Sequence, residues 1–184
     1  NELGNFDVFV KGYLDMLSNV IIVSKEKITE AIQNNFKEIL ETESCNKNEL
    51  QICNIGTAQD GSALVTYHVN IVNQCMGTSW QANMLERILE NAQESQRIVV
   101  LEDAFCSGKQ ILSIFETYMG IPLEERQTKE VHVEELAPEL KEKLQNCKLI
   151  FSFIFYEKNN KDFFIKRMNE IGLQNISIIA QDTF

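Results

Sequence analysis

The run Leu149–Tyr156, LIFSFIFY, constrains the fold more than any other part of the chain. Only Ser152 interrupts its apolar character. A strand with one wet face alternates apolar and polar residues, whereas a strand covered on both faces does not need to. A continuous run of strand length is the mark of a central strand in a parallel sheet. A second such run, Ile98–Leu101, lies upstream.

The segments between and around these runs carry helical or turn signals. Leu50 to Ile55 reads as a strand and Gly56 to Gly61 as a loop. Ser62 to Asn73 is read as a helix, although its β-branched residues favour strands. Trp80 to Ala92 is read as a helix with Trp80, Met84 and Ile88 on one line. A strand over 98–102 is followed by a helix over 109–119, stopped by Gly120 and Pro122. Residues 120–133 form an irregular polar insert, and 135–145 a further helix. Phe164, Met168 and Ile171 mark another helix, capped by Gly172, before a last strand over 176–180. This alternation implies an α/β fold with a mainly parallel sheet, right-handed crossovers and helices on both faces.

Ahead of the first strand, Phe6, Val10, Tyr13, Leu14 and Leu17 form one helical stripe. Ser24 is placed to cap a second helix carrying Ile28, Ile32, Phe36 and Ile39. We therefore divide the chain into an N-terminal helical extension, residues 1–49, and an α/β core, residues 50–184. A chain of 184 residues is enough for one domain that buries roughly 70% of its unfolded surface.

Composition narrows the function. The formal charge of −10 repels a phosphate backbone, so direct nucleic-acid binding is not expected. No apolar run approaches the ~20 residues of a membrane helix, and the first residues have neither the basic nor the apolar region of a signal peptide. The cysteines at 45, 53, 75, 106 and 147 have no CxxC spacing. With His68 and His132 the only histidines, a zinc site is not expected. Scattered thiols in odd number point to a reducing cytoplasm. The chain starts without Met and stops just past a strand-like run, as a piece of a longer protein would.

The chemistry concentrates in Arg97–Gln110, RIVVLEDAFCSGKQ. The apolar run ends in paired acids, Glu102 and Asp103. A loop of Ala104, Phe105, Cys106, Ser107, Gly108 and Lys109 leads into the next helix. Ligands of open α/β sheets bind beyond the carboxyl ends of strands, and loop amides at a helix start attract anions. Carboxylates only accept hydrogen bonds, and vicinal hydroxyls supply two donors. A plainer reading competes: strands often end in an acid because the following helix favours one, and Ser107-Gly108 is also a usable tight turn. A P-loop is excluded, because no Gly stands five residues before Gly108 and Gln110 occupies the Ser/Thr position. Cys106 sits where a thiol pKa can fall, or is simply small enough for the turn.

The apolar strand, acid pair, three residues, then Ser-Gly resembles the phosphoribosyl-diphosphate (PRPP) loop of type I phosphoribosyltransferases. The resemblance implies that Glu102 and Asp103 hold the ribose hydroxyls. It implies that Ala104 to Lys109 wrap the 5′-phosphate, with Ser107 donating its hydroxyl. Gln110 replaces the usual Thr, and its amide would substitute in part. The family's pyrophosphate loop corresponds to Gly56–Ser62, where Thr57, Gly61 and Ser62 are the candidate contacts. This loop has no Lys or Arg, and Asp60 opposes an anion. Mg²⁺ is implied as cofactor by the resemblance alone. With the N-terminal helices and the DGSALVTYHVNIVN segment, the motif also resembles divergent phosphoribosyltransferase-like proteins of bacterial conflict and antiphage systems.

Two functions stay open on the sequence. One is a protein that binds PRPP or a nucleotide and transfers the phosphoribosyl group to a base. The other is a catalytically inactive sensor or scaffold of the same fold, with a protein partner in a larger complex.

Overall fold

The computed structural model describes residues 24–55, 62–92, 96–129 and 131–180, and the side chains of 62–66 are left aside. The stripe from Phe6 to Leu17 and the loop residues Thr57 and Gly61 lie outside the described residues. Helix α1 (Lys25–Thr42) leads to β1 (Leu50–Asn54), α2 (Ser62–Met76), β2 (Ala82–Met84) and α3 (Leu85–Glu90). Then come β3 (Arg97–Phe105), α4 (Lys109–Met119), α5 (Pro138–Asn146), β4 (Lys148–Tyr156), α6 (Lys161–Glu170) and β5 (Ile176–Ala180).

All five strands run parallel, in the order β2-β1-β3-β4-β5. The apolar runs β3 and β4 pair with each other at the centre, as their two-sided burial requires. Ile98 and Val100 join a core with α3, α4, α5 and α6, while Val99 and Leu101 join a core with α1 and α2. Ser24 caps α1 as its sequence position suggests, its Oγ accepting from the Lys27 N–H at 3.3 Å. The stripe Ile32, Phe36 and Ile39 is fully buried on the sheet. Helix α1 thus covers one face of the sheet although it precedes the first strand.

Ser62 to Met76 is helical despite its β-branched residues. A parallel β1–β2 pair needs a crossover, and tertiary position overrides local preference.

The helix expected over Trp80–Ala92 is a strand and a short helix instead. The physical reason lies in where Trp80 goes. Its ring stacks on Phe36, centroids 4.4 Å apart, and its Nε1 donates to the Lys47 carbonyl at 2.8 Å. That places it in the α1/α2 core, whereas Leu85, Ile88 and Leu89 lie in the opposite core. One helix cannot send a single stripe to both faces of a sheet. Asn73 holds the turn: its Oδ1 accepts from the Trp80 N–H and the Thr78 hydroxyl, and its Nδ2 donates to the Trp80 carbonyl. Asn73→Ala removes all of these bonds and is expected to lower stability by about 2 kcal/mol, read by urea denaturation.

Helix α5 begins at Pro138 rather than 135. Proline at the first helical position fixes the start, and the Leu136 N–H is bonded to the Tyr118 carbonyl. The polar insert is anchored on α4. Arg126 donates to the Ile121 carbonyl and to Thr117 Oγ1, and the Gln127 and Thr128 amides donate to Glu116 and Ser113. Arg167 of α6 closes the cluster with Nε 2.6 Å from Glu116 Oε1. The hydrogen bond to Glu116 raises the guanidinium pKa above the ordinary arginine value.

Candidate functional site

From β1 the chain passes to β2 at one edge, then returns to the other side of β1 to form β3. The connections leaving β1 and β3 therefore diverge, and a crevice opens between their carboxyl ends. Ligands of doubly wound sheets bind at this switch point. Here the crevice is a cavity of about 390 Å³. Glu102, Asp103 and Ala104 line it from the strand, Cys106 to Gln110 from the loop and helix start, and Ile55, Ile111 and Ile114 add apolar surface.

Strand β3 runs three residues further than the sequence suggests, to Phe105, because Glu102, Ala104 and Phe105 continue to pair with Phe153, Phe155 and Tyr156. A strict two-residue period would place Phe105 with Val99 and Leu101. Instead it packs among Phe153, Tyr156 and Phe164 in the opposite core. The alternation therefore breaks between Leu101 and Phe105. This break lets two consecutive acids, which a regular strand would send to opposite faces, line one cavity.

The loop reduces to Cys106, Ser107 and Gly108 before α4 begins. Gly108 has φ +67°, and a Cβ there would lie 2.6 Å from the Phe105 ring and 2.9 Å from that of Phe164. Glycine is required on both counts, backbone and packing. Ser107 Oγ lies 3.4 Å from the Lys109 N–H. The first-turn amides of a helix have no carbonyl partner within it, and they carry the positive end of its dipole. Those of α4 begin beside the cavity.

Of the residues expected at the site, the structure gathers Glu102, Asp103, Ala104, Cys106, Ser107, Gly108, Lys109 and Gln110 around the cavity. Phe105 is buried beneath the loop as a packing residue and does not line it. Ser62 is the first residue of α2. The apolar contributors Ile55, Ile111 and Ile114 carry no sequence signal that separates them from core residues.

Cys53 of β1 is a buried thiol with Glu86 and Glu102 nearby. Burial raises its pKa, and both carboxylates push the same way, so it stays protonated and is no nucleophile. Burial likewise raises the Tyr118 hydroxyl, with Glu86 adding to the effect. Among the described residues no cluster of three or more His, Cys, Asp or Glu side chains is arranged to hold a metal. No helix among them is long and apolar enough to cross a membrane.

A parallel sheet in this order, with two adjacent acids near the carboxyl end of its central strand and a glycine-turned loop at the switch point, is the frame expected of a phosphoribosyltransferase-type protein. The sequence pattern of the PRTase-CE family, a phosphoribosyltransferase-type family, matches residues 2–182, and the chain belongs to that family. No curated protein and no solved structure matches it.

Proposed function

We propose that the cavity binds PRPP or a nucleotide and that the protein transfers the phosphoribosyl group to a base. The observation that carries this is the meeting of Glu102, Asp103 and the Gly108-turned loop in one cavity at the switch point. In this reading Glu102 and Asp103 accept from the ribose 2′ and 3′ hydroxyls. The Ser107 and Gly108 amides and the Ser107 hydroxyl hold the 5′-phosphate, Lys109 adds charge, and the Gln110 amide takes the place of a second hydroxyl. Thr57, Gly61 and Ser62 would meet the pyrophosphate.

The paired carboxylates Glu102 and Asp103 beside a phosphate site suit Mg²⁺, which is commonly held by one or two carboxylates together with ligand phosphates. Bound there, it would neutralise charge on the leaving pyrophosphate. The chain's own groups orient the ribose, so that the C1′–O bond breaks to give an oxocarbenium-like sugar as pyrophosphate departs. A base nitrogen then attacks C1′ to form the new C–N bond, and any proton on that nitrogen is released to solvent. The resemblance to antiphage proteins supports a setting in bacterial defence, in the cytoplasm and with a protein partner.

A second reading, a phosphoribosyl-binding sensor without catalysis, is favoured by one observation. Gly56–Gly61 has no cation and carries Asp60. The leaving group would then lack the stabilisation that catalysis needs.

Turnover decides between the two. The protein is incubated with PRPP, Mg²⁺ and a panel of purine and pyrimidine bases, and pyrophosphate is measured. Base-dependent release supports the transferase. PRPP binding with no release under any base supports the sensor. Asp103→Asn is expected to weaken PRPP binding at least about tenfold, the scale of one hydrogen bond to a charged group.

A further inference from the structure

We propose that Asn160, at the start of α6, is a positioning residue for the phosphate loop, setting the orientation of the Cys106–Ser107 peptide; this rests on the phosphoribosyl reading above. Asn160 occupies the N-cap of α6, yet its side chain makes no capping bond there. Its Nδ2 instead donates to the Cys106 carbonyl at 2.8 Å. A carbonyl only accepts, so the amide nitrogen must be the group that faces it.

The consequence follows from peptide geometry. No peptide bond among the described residues is cis. In a trans peptide the carbonyl and the next N–H point in opposite directions. With the Cys106 carbonyl held toward Asn160, the Ser107 N–H points away from it. Asn160 stands on the β4/α6 side of the loop, and no residue of β4, the Lys158–Asn160 turn or α6 lines the cavity. Cys106, Ser107 and Gly108 themselves line the cavity, and in this proposal the Ser107 N–H lies on that side. A flipped peptide would turn the Cys106 carbonyl there, with its negative end toward the phosphate.

Two neighbouring contacts hold the same corner. The Glu157 N–H donates to the Phe105 carbonyl at 2.9 Å, and Phe164 packs where a side chain on Gly108 would go. The exit of β4 thus braces the loop after β3 from behind. Asn160 is the member of this brace that acts on the peptide through a side chain, and so can be changed without altering the backbone.

The test uses the full chain, ¹⁵N-labelled, titrated with PRPP and Mg²⁺ by calorimetry and with ribose 5-phosphate by amide spectra. In the wild type, PRPP binds and the Ser107 amide resonance moves downfield as ribose 5-phosphate is added. Asn160→Asp places an acceptor against the carbonyl. It is expected to lose about tenfold or more in PRPP affinity, the scale of one hydrogen bond to a phosphate, and to lose the Ser107 shift. Asn160→Ala, which adds no charge, should lose severalfold, and it carries the comparison if Asn160→Asp does not fold. Asn160→Gln, which keeps a donor, should recover part of the affinity. The ligand-free melting temperature should stay near wild type in each, a separation that a merely structural role would not give. Wild-type affinity and an intact Ser107 shift in the variants would overturn the role of Asn160 and leave the phosphoribosyl site standing. Absence of binding by the wild type would overturn both.

Discussion

Replacing Gly108 by alanine is expected to cost the folded protein about 3 kcal/mol and to abolish phosphate-dependent binding. Two effects add. A left-handed backbone at a non-glycine residue costs about 1–2 kcal/mol, and forcing a methyl group into a packed position costs about 1–3 kcal/mol more. The methyl would sit 2.6 Å and 2.9 Å from two ring carbons, of Phe105 and Phe164. Neither ring can easily give way, because both are fully buried and in contact with each other and with neighbouring rings. Gly77 supplies the control. Its φ is +62°, with nothing within 4 Å of the would-be Cβ, so Gly77→Ala should show the backbone cost alone, about 1–2 kcal/mol. Urea denaturation of both variants separates the two contributions. If Gly108→Ala loses no more than Gly77→Ala, the packing of the loop on the aromatic cluster is wrong.

The second large effect is expected at Arg167. Glu116 has no exposed surface, and its carboxylate is held by Arg167 Nε at 2.6 Å and the Gln127 N–H at 2.8 Å. Arg167→Ala leaves that charge buried with the amide alone. Breaking a buried pair by removing one partner costs about 3–5 kcal/mol. Arg167 retains some exposure, with 20% of its side-chain surface accessible, so water can partly replace it and the lower end is expected. Arg167 also donates to the Glu125 carbonyl, so the insert should become sensitive to proteolysis in the same variant. Replacing both partners, Glu116→Leu with Arg167→Met, should recover much of the loss, because no charge is then left buried. A loss below about 1 kcal/mol in Arg167→Ala would show that Glu116 is not sealed by this contact.

The sequence is most legible where one signal does one job. LIFSFIFY and Ile98–Leu101 are apolar on both faces because both faces are covered, and they become the central pair of the sheet. Ser24 and Gly120 bound their helices where their chemistry places them. Reading fails where a single apolar stripe serves two cores. Trp80 and Ile88 share a helical spacing yet belong to opposite faces, and only the sheet edge between them explains the division. The polar face of α4 shows the converse. Ser113, Glu116 and Thr117 are polar yet buried, because the Thr128 amide, Arg167 and Arg126 respectively reach them from outside the helix.

At the candidate site, the acids and Ser-Gly were visible because their chemistry is compressed into one short segment. Their arrangement was not. The break in alternation that brings Glu102 and Asp103 to one cavity depends on pairing with β4 and on the burial of Phe105 among rings contributed by β4 and α6. Asn160 was invisible for the same reason. Its partner is 54 residues away, and nothing local distinguishes it from a surface asparagine in the KNNKD stretch.

The most direct test of the central claim is calorimetric titration of PRPP with Mg²⁺ into the wild-type chain. The account predicts saturable binding at one site, with a matching rise in unfolding free energy of about 2.7 kcal/mol at a hundredfold excess over Kd. A folded sample that takes up neither PRPP nor a nucleoside monophosphate, and gains no stability from them, would contradict it.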